Sequence, residues 1–466
     1  MFIGRERELS TLRNKYESGV FEFVGVYGRR RVGKTALLTE FTKDLPNGWC
    51  TAVEADAQAN LVNLSKAVYS LQNPNAPLES APVFADVSGA LEAAFAATKK
   101  TRGVLVIDEF PYMAQADPSF SSTLQAAIDR HHAHSQLFLI LCGSSLSFMK
   151  HQLFGKESPL YGRRTGQIEL KPFDYWQARA FFPDMDATDS AALYAMTGGI
   201  PLYLRQFSPT ASVEENISQV FLNPSSILYE EPANLLKQEV RDAAKYHKVM
   251  SVIAAGSSRH NEIATGSGVG SSALDYYLKE LVELGLVSRE EPVTGRGGRR
   301  AVWKIDDLLF RFWFRFIRPR QPLIDRGLAE GAASIIKDEL PDYMGTVFEH
   351  MCRDWLWREY GEGRLDVDIV DIGRWWGNDS RKREEAEIDL VAVGNSGTSL
   401  IGECKWRNEP VGADVVERLD SRAWLVGADQ QIPRYVFSRE GFDSSCRSAA
   451  KDMGNVRLIS FEEMKG

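Results

Sequence analysis

The segment Gly28-Arg29-Arg30-Arg31-Val32-Gly33-Lys34-Thr35 spells G-x-x-x-x-G-K-T, the residue types and spacing that wrap backbone N–H groups around phosphate oxygens. Glycines permit the inward turn of the amides, and the helix that follows adds the positive end of its dipole. In such a loop Lys34 reaches the β- and γ-phosphates, and the Thr35 hydroxyl holds Mg²⁺. The flanks agree, because Phe21 to Tyr27 reads as a buried strand and Thr35 to Phe41 as a helix with an apolar stripe. ATP and Mg²⁺ are the cofactors this pattern implies.

Further along, the strand Gly103 to Ile107 ends in Asp108-Glu109. Adjacent carboxylates at a strand's C-terminal end suit a division of labour: Asp108 holds the water shell of the metal, and Glu109 polarises the attacking water. The strand Leu137 to Cys142 runs into Gly143-Ser144-Ser145. Ser144 is expected between the two motifs, placed to sense the γ-phosphate, with helix capping as the competing role of this serine pair.

A second set of reactive residues lies in the tail. Asp366 to Gly377, Ala386 to Val393 and Thr398 to Lys405 read as successive strands, the last two joined by the turn Gly394-Asn395-Ser396-Gly397. Alternation puts Glu403 and Lys405 on one face and Cys404 on the other. Asp389 and Glu403 are expected to converge on one Mg²⁺, with Lys405 orienting or deprotonating water, and Glu349 on the helix Thr346 to Tyr360 completes the cluster. Phosphate contacts are expected from Arg381 to Arg383, whereas Arg418 and Arg422, one turn apart on the helix Asp414 to Leu425, suit a substrate phosphate less readily than an ordinary surface paired with Glu417 and Asp420. Trp375-Trp376 suits either a stacked base or a core edge.

With these motifs in hand, the chain resembles the archaeal-type family of P-loop ATPases, related to the AAA+ and STAND classes. The resemblance rests on Gly4-Arg5-Glu6, the phosphate loop, Ile107-Asp108-Glu109-Phe110, Cys142-Gly143-Ser144-Ser145, Gly162-Arg163-Arg164 and Gly198-Gly199-Ile200-Pro201. It implies that Gly4 and Arg5 pack near the adenine and that Pro201 closes over it from a helical lid. It also implies that Arg163 or Arg164 serves as an arginine finger, in cis or from a neighbouring subunit. Ser144 stands where many STAND proteins carry Arg. The tail resembles PD-(D/E)xK nucleases in the variant written E-I-D then E-x-K, a module that often follows such ATPases and whose function is unassigned.

Between these parts, three helices (Val240 to Ala255, one from near Asn261, and Ser271 to Leu284) lead to strands ending at Arg289 and starting at Ala301, the order of a winged helix-turn-helix. Its tip would be Gly295-Arg296-Gly297-Gly298-Arg299-Arg300. Asp275, Glu280 and Glu283 against Lys279 on the third helix would repel a phosphate-lined groove, so sequence reading by that helix is disfavoured. The tip is left with a backbone grip, and the module otherwise with the role of a rigid spacer or oligomer contact.

The expected fold class is thus α/β: a parallel-sheet P-loop ATPase core (1–172), a helical lid (173–237), a winged helix-turn-helix (238–308) and an α/β restriction-endonuclease-like domain (309–466). Net charge of −8 over 466 residues argues against coating nucleic acid by bulk electrostatics, so DNA contact must fall to local basic segments, among them Arg311 to Arg320 with its interleaved aromatics. Five scattered cysteines encode neither a zinc site nor a disulfide framework. No apolar run spans a bilayer, and Met1 to Glu8 is too charged for a signal core, so a cytoplasmic location without membrane contact is expected. The whole reads as an ATP-hydrolysing protein coupled to a Mg²⁺-dependent DNA nuclease module, with homo-oligomers open. The alternative is an ATP-gated switch or DNA-binding regulator with a silent tail.

Overall fold

The computed structural model describes residues 2–74, 76–295 and 300–465. The chain divides into two compact units, Met1–Pro172 with Ile200–Leu202, and Phe173–Gly199 with Tyr203–Gly466. Apart from Ile200–Leu202 of the lid, the lid, winged-helix and tail segments expected separately fall within the second. Part of the physical reason is Tyr343, fully buried, whose hydroxyl donates to the carbonyls of Ala195 (3.0 Å) and Leu308 (3.1 Å) and so ties the three segments together.

In the first unit β1 (Glu22–Tyr27), β2 (Asn47–Thr51), β3 (Gly103–Asp108), β4 (Leu137–Gly143) and β5 (Gly166–Glu169) form a parallel sheet in the order β2-β3-β4-β1-β5. β1, β3 and β4 are buried along their whole length, as near-continuous apolar runs between layers of helix must be. Core residues such as Phe23, Leu105, Leu139 and Phe110 have no exposed surface, and each buried side chain of this size contributes roughly 1.5–3 kcal/mol relative to leaving it in water. Because β4 lies between β1 and β3, the three loops leaving their C-terminal ends emerge side by side.

The second unit opens with helices and continues through Ala243–Ala254, His260–Ser267 and Ser271–Glu283 to the antiparallel pair β6 (Val287–Glu290) and β7 (Val302–Ile305). Arg296 to Arg299 of the expected wing tip lie outside the described residues. A second sheet follows: β8 (Asp371–Asp379), β9 (Glu384–Gly394), β10 (Gly397–Lys405), β11 (Arg434–Ser438) and β12 (Val456–Ser460), in the order β12-β11-β10-β9-β8. β8, β9 and β10 are antiparallel, whereas β10, β11 and β12 are parallel. The helix Ala332–Gly361, twice the expected length, packs Phe348 and Trp355 onto Trp406 and Phe437. Val415, Val416 and Leu419 of the helix Ala413–Arg422 pack against Ile388, Ile401 and Val436.

The aromatics of Arg311 to Arg320 are not available to stack on bases, although Arg315 and Arg318 are exposed. Phe312, Trp313, Phe314 and Phe316 are buried, the backbone winding through a π-helical turn at Trp313–Ile317 that turns the rings inward. Arg311 lies 4.4 Å from the Tyr343 ring centre, a cation–π contact inside the fold.

Candidate functional site

At the end of β1 the phosphate loop passes beneath Leu170, whose carbonyl oxygen would sit 2.3 Å from a Cβ on Gly28. Only glycine fits there. Gly33 takes φ 96° as the residue before the helix Lys34–Thr42, and Arg31 takes φ 68°, a left-handed backbone that costs a non-glycine residue on the order of 1–3 kcal/mol. Lys34 is buried and its Nζ donates to the carbonyls of Gly28 and Arg29, both at 2.9 Å. Burial pushes its ammonium below the ordinary lysine value, and the Glu109 and Asp108 carboxylates push back. Val32 is buried, and Arg29, Arg30 and Arg31 are half-buried.

Thr35 Oγ1 donates to Asp108 Oδ2 at 2.9 Å, joining the loop to β3. Glu109 follows with φ 52°, and its carboxylate accepts from Ser144 Oγ at 3.1 Å. Ser144 thus reaches Glu109 from the end of β4. Ser145 occupies the N-cap of the helix Leu146–Phe154 with no side-chain cap bond, so the capping role foreseen for this pair is not exercised through a hydroxyl. Arg5 is buried with φ 71°, and its guanidinium donates to the carbonyls of Val32 (3.1 Å) and Lys171 (2.7 Å). That contact braces the phosphate loop from behind. Gly4 also takes a positive φ, and Pro201 lies 3.8 Å from where a Cβ on Gly33 would stand.

Arg163 forms a bidentate pair with Asp129, both bonds 2.8 Å, and donates to the carbonyls of Pro159 and Tyr161. Arg164 donates to Gln167 and to the Leu153 carbonyl, and its guanidinium lies 4.1 Å from the Phe154 ring centre. Both guanidiniums are engaged within their own loop and its neighbours.

Residues 2–207 match the profile of an ATPase domain found predominantly in archaea. This segment is an archaeal-type P-loop ATPase domain. Residues 313–419 match a family described as archaeal and bacterial proteins of unknown function. The chain is 29% identical over 467 residues to an uncharacterised protein of Methanocaldococcus jannaschii, covering 99% of this chain and 100% of that one. Among solved structures it is similar to the Walker-type ATPase of Pyrococcus abyssi (19% identity, 67% of this chain and 96% of that one, TM-score 0.49). It is also similar to the ORC2 protein of Aeropyrum pernix (13%, 70% and 93%, TM-score 0.43).

In the second unit, outside the ATPase sheet, the β9–β10 hairpin brings Asp389, Glu403 and Lys405 together. Lys405 Nζ lies 2.6 Å from Glu403 Oε1 and 3.2 Å from Asp389 Oδ2, and the Cys404 amide donates to the same Asp389 oxygen at 2.9 Å. Asp389 and Glu403 are 8% and 4% exposed, so their charges cannot rely on water. Burial and the Asp389 carboxylate raise the Glu403 carboxyl, whereas Lys405, penalised by burial, is held above its usual value by its two acidic partners. Glu403 meets Arg418 at 3.7 Å, and the Cys404 thiol points instead to Cys352 on the long helix, the alternation expected of a strand.

Glu349 does not join this pair as a third ligand. Its Oε2 lies 3.3 Å from Nε of Arg374, and among the described residues no group of three acidic, cysteine or histidine side chains is arranged to hold a metal. Arg374, unnoticed in the sequence, also pairs with Glu387 and with Glu290 of β6 (3.6 Å), a convergence of separate elements that no local motif encodes. Burial, with help from Asp389 and Glu387, lifts Glu349 to about 7 against the pull of Arg374. Its folded value exceeds the unfolded one, so its contribution to stability is full below about pH 4.5 and is lost as pH rises through about 7. Glu349→Gln is therefore expected to melt closer to wild type at pH 5 and to gain on it by pH 8. Thermal unfolding at the two pH values checks this.

Of the other basic candidates, Arg422 donates to the Glu387 carbonyl at 2.9 Å, Arg418 pairs with Glu403 and Asp414, and Arg381 stacks 3.8 Å from the Trp424 ring centre. Trp375 is a core residue, and Trp376 donates to the Arg300 carbonyl. No helix among the described residues is long and apolar enough to cross a membrane.

Proposed function

We propose that this chain is a Mg²⁺-dependent ATPase coupled to a metal-dependent, nuclease-like tail that acts on DNA. Lys34 and the loop amides take the nucleotide phosphates, Thr35 and Asp108 take the cation, Glu109 polarises water, and Ser144 links Glu109 to the γ-phosphate position. Arg5 and Gly4 shape the nucleotide pocket through the loop they brace, with Pro201 beside it. Arg163, spent on Asp129, fits a finger less well than Arg164. Residues 238–308 read as a winged helix serving the tail.

The observation that carries the nuclease half is the buried convergence of Asp389, Glu403 and Lys405. Glu403 Oε2 is buried without a hydrogen-bond partner, an oxygen available to a hard cation, and two carboxylates are a donor set that suits Mg²⁺. Asp389 and Glu403 would hold the ion, which when bound supplies Lewis acidity at a phosphodiester. Lys405 holds or orients the proton of a water beside them.

Purified protein with Mn²⁺ and ATP is expected to cut DNA, and Asp389→Ala and Glu403→Gln to lose cutting while ATP turnover persists. The second reading, an ATP-gated switch with a silent tail, is favoured by the diversion of Glu349 to Arg374. Intact DNA in every form together with no Mn²⁺ uptake by calorimetry would select it.

A further inference from the structure

The helix Ser271–Glu283 leaves Asp275 and Glu283 exposed, a poor surface for a duplex groove, and the strand pair beside it is engaged elsewhere. The Val293 amide, just after β6, donates to the Arg374 carbonyl of β8 at 3.0 Å, and Trp376 Nε1 donates to the Arg300 carbonyl at 2.9 Å. The pair thus lies along the edge strand of the second sheet. Between them runs a groove of about 690 Å³ lined by Arg259, Arg300, Arg422, Asn378 and Trp376.

Two acids share it, and each has a cation of its own: Glu385 faces Arg259 at 3.9 Å, and Glu387 is held by Arg374. Arg300 and Arg422 have no acidic partner among the described residues. Guanidiniums around an indole make a surface for a phosphate chain whose bases are unpaired, since a stacked duplex offers no base face to an aromatic ring. Trp376 also borders a second cavity of about 410 Å³, with Arg374, Glu387 and His350. Glu387 is two residues from Asp389 on β9, so the groove leads toward the acidic cluster.

We propose that this groove binds single-stranded DNA, with Arg259, Arg300 and Arg422 on backbone phosphates and Trp376 under a base. The choice of DNA, and the delivery of the strand to Asp389 and Glu403, rest on the function proposed above. Binding itself does not require the metal cluster.

The test is fluorescence anisotropy on the full chain in EDTA without nucleotide. The probes are a labelled oligothymidylate of about 20 nucleotides, the matching oligouridylate and a blunt duplex of the same length. Oligothymidylate is expected to bind about tenfold or more tighter than duplex, with affinity falling steeply as salt rises. Arg422→Glu and Arg259→Glu are expected to weaken it about tenfold each, and the milder Trp376→Phe a few-fold, read on variants whose circular dichroism matches the folded wild type. Absence of binding, a preference for duplex or for oligouridylate, or indifference to both charge reversals overturns the proposal. Asp389→Ala separates the two readings. If the wild type cuts DNA and Arg422→Glu alters neither affinity nor cutting, the groove falls and the metal centre stands; if strands bind but are never cut, the reverse holds.

Discussion

Glu109→Gln is expected to slow ATP hydrolysis by about 10²–10⁴-fold with nucleotide affinity nearly unchanged, the range associated with removing a positioned general base. Glutamine keeps the length of the side chain and can still accept from Ser144, so the backbone at φ 52° and the contact at 3.1 Å have no reason to rearrange. What disappears is the negative charge that polarises water. An alanine variant would be harder to interpret, because it also frees Ser144. Single-turnover hydrolysis and equilibrium binding of a fluorescent ATP analogue, measured on the same preparation, separate the two effects. Loss of affinity with normal turnover would show that Glu109 shapes the pocket instead of the reaction.

Lys405→Met is expected to cost the metal-free protein about 3–5 kcal/mol, because it removes the cation that two buried carboxylates share, leaving Asp389 with only the Cys404 amide and Glu403 with only the more distant Arg418. Methionine fills much of the lysine stem's volume, which keeps the packing loss small. If Asp389 and Glu403 form a cation site, Mn²⁺ restores much of the lost stability by occupying the place between them. The measurement is a melting curve of wild type and variant, each with and without Mn²⁺. A variant that stays destabilised at saturating Mn²⁺ would remove the metal reading and leave Lys405 as a structural counter-ion.

The difference between what the residue order disclosed and what it concealed follows from how local each device is. The phosphate loop is local: Gly28 and Gly33 are demanded by a close carbonyl and a positive φ within a few residues, so the pattern and the geometry are nearly the same statement. The β9–β10 hairpin is local too, and alternation placed Glu403 and Lys405 correctly. Arg374 is the opposite case. Its partners come from β6, β9 and the long helix, and nothing near position 374 announces them. The rings among Arg311 to Arg320 were hidden for a related reason, since arginines spaced among aromatics read alike whether the rings face water or a core. A π-helical turn at Trp313–Ile317 decides the matter, and it leaves no compositional mark. The strands β11 and β12 are short, at Arg434–Ser438 and Val456–Ser460, with too few residues for periodicity to speak.

β10 is the middle strand of its sheet, antiparallel to β9 on one side and parallel to β11 on the other. Amides of a central strand are the ones expected to exchange with solvent most slowly, and Glu403 and Lys405 ride at the C-terminal end of that strand, still paired with β11. Mild destabilisation elsewhere in the domain is expected to lower the number of folded molecules before it alters the cluster, so damage is read out as abundance before it is read out as chemistry.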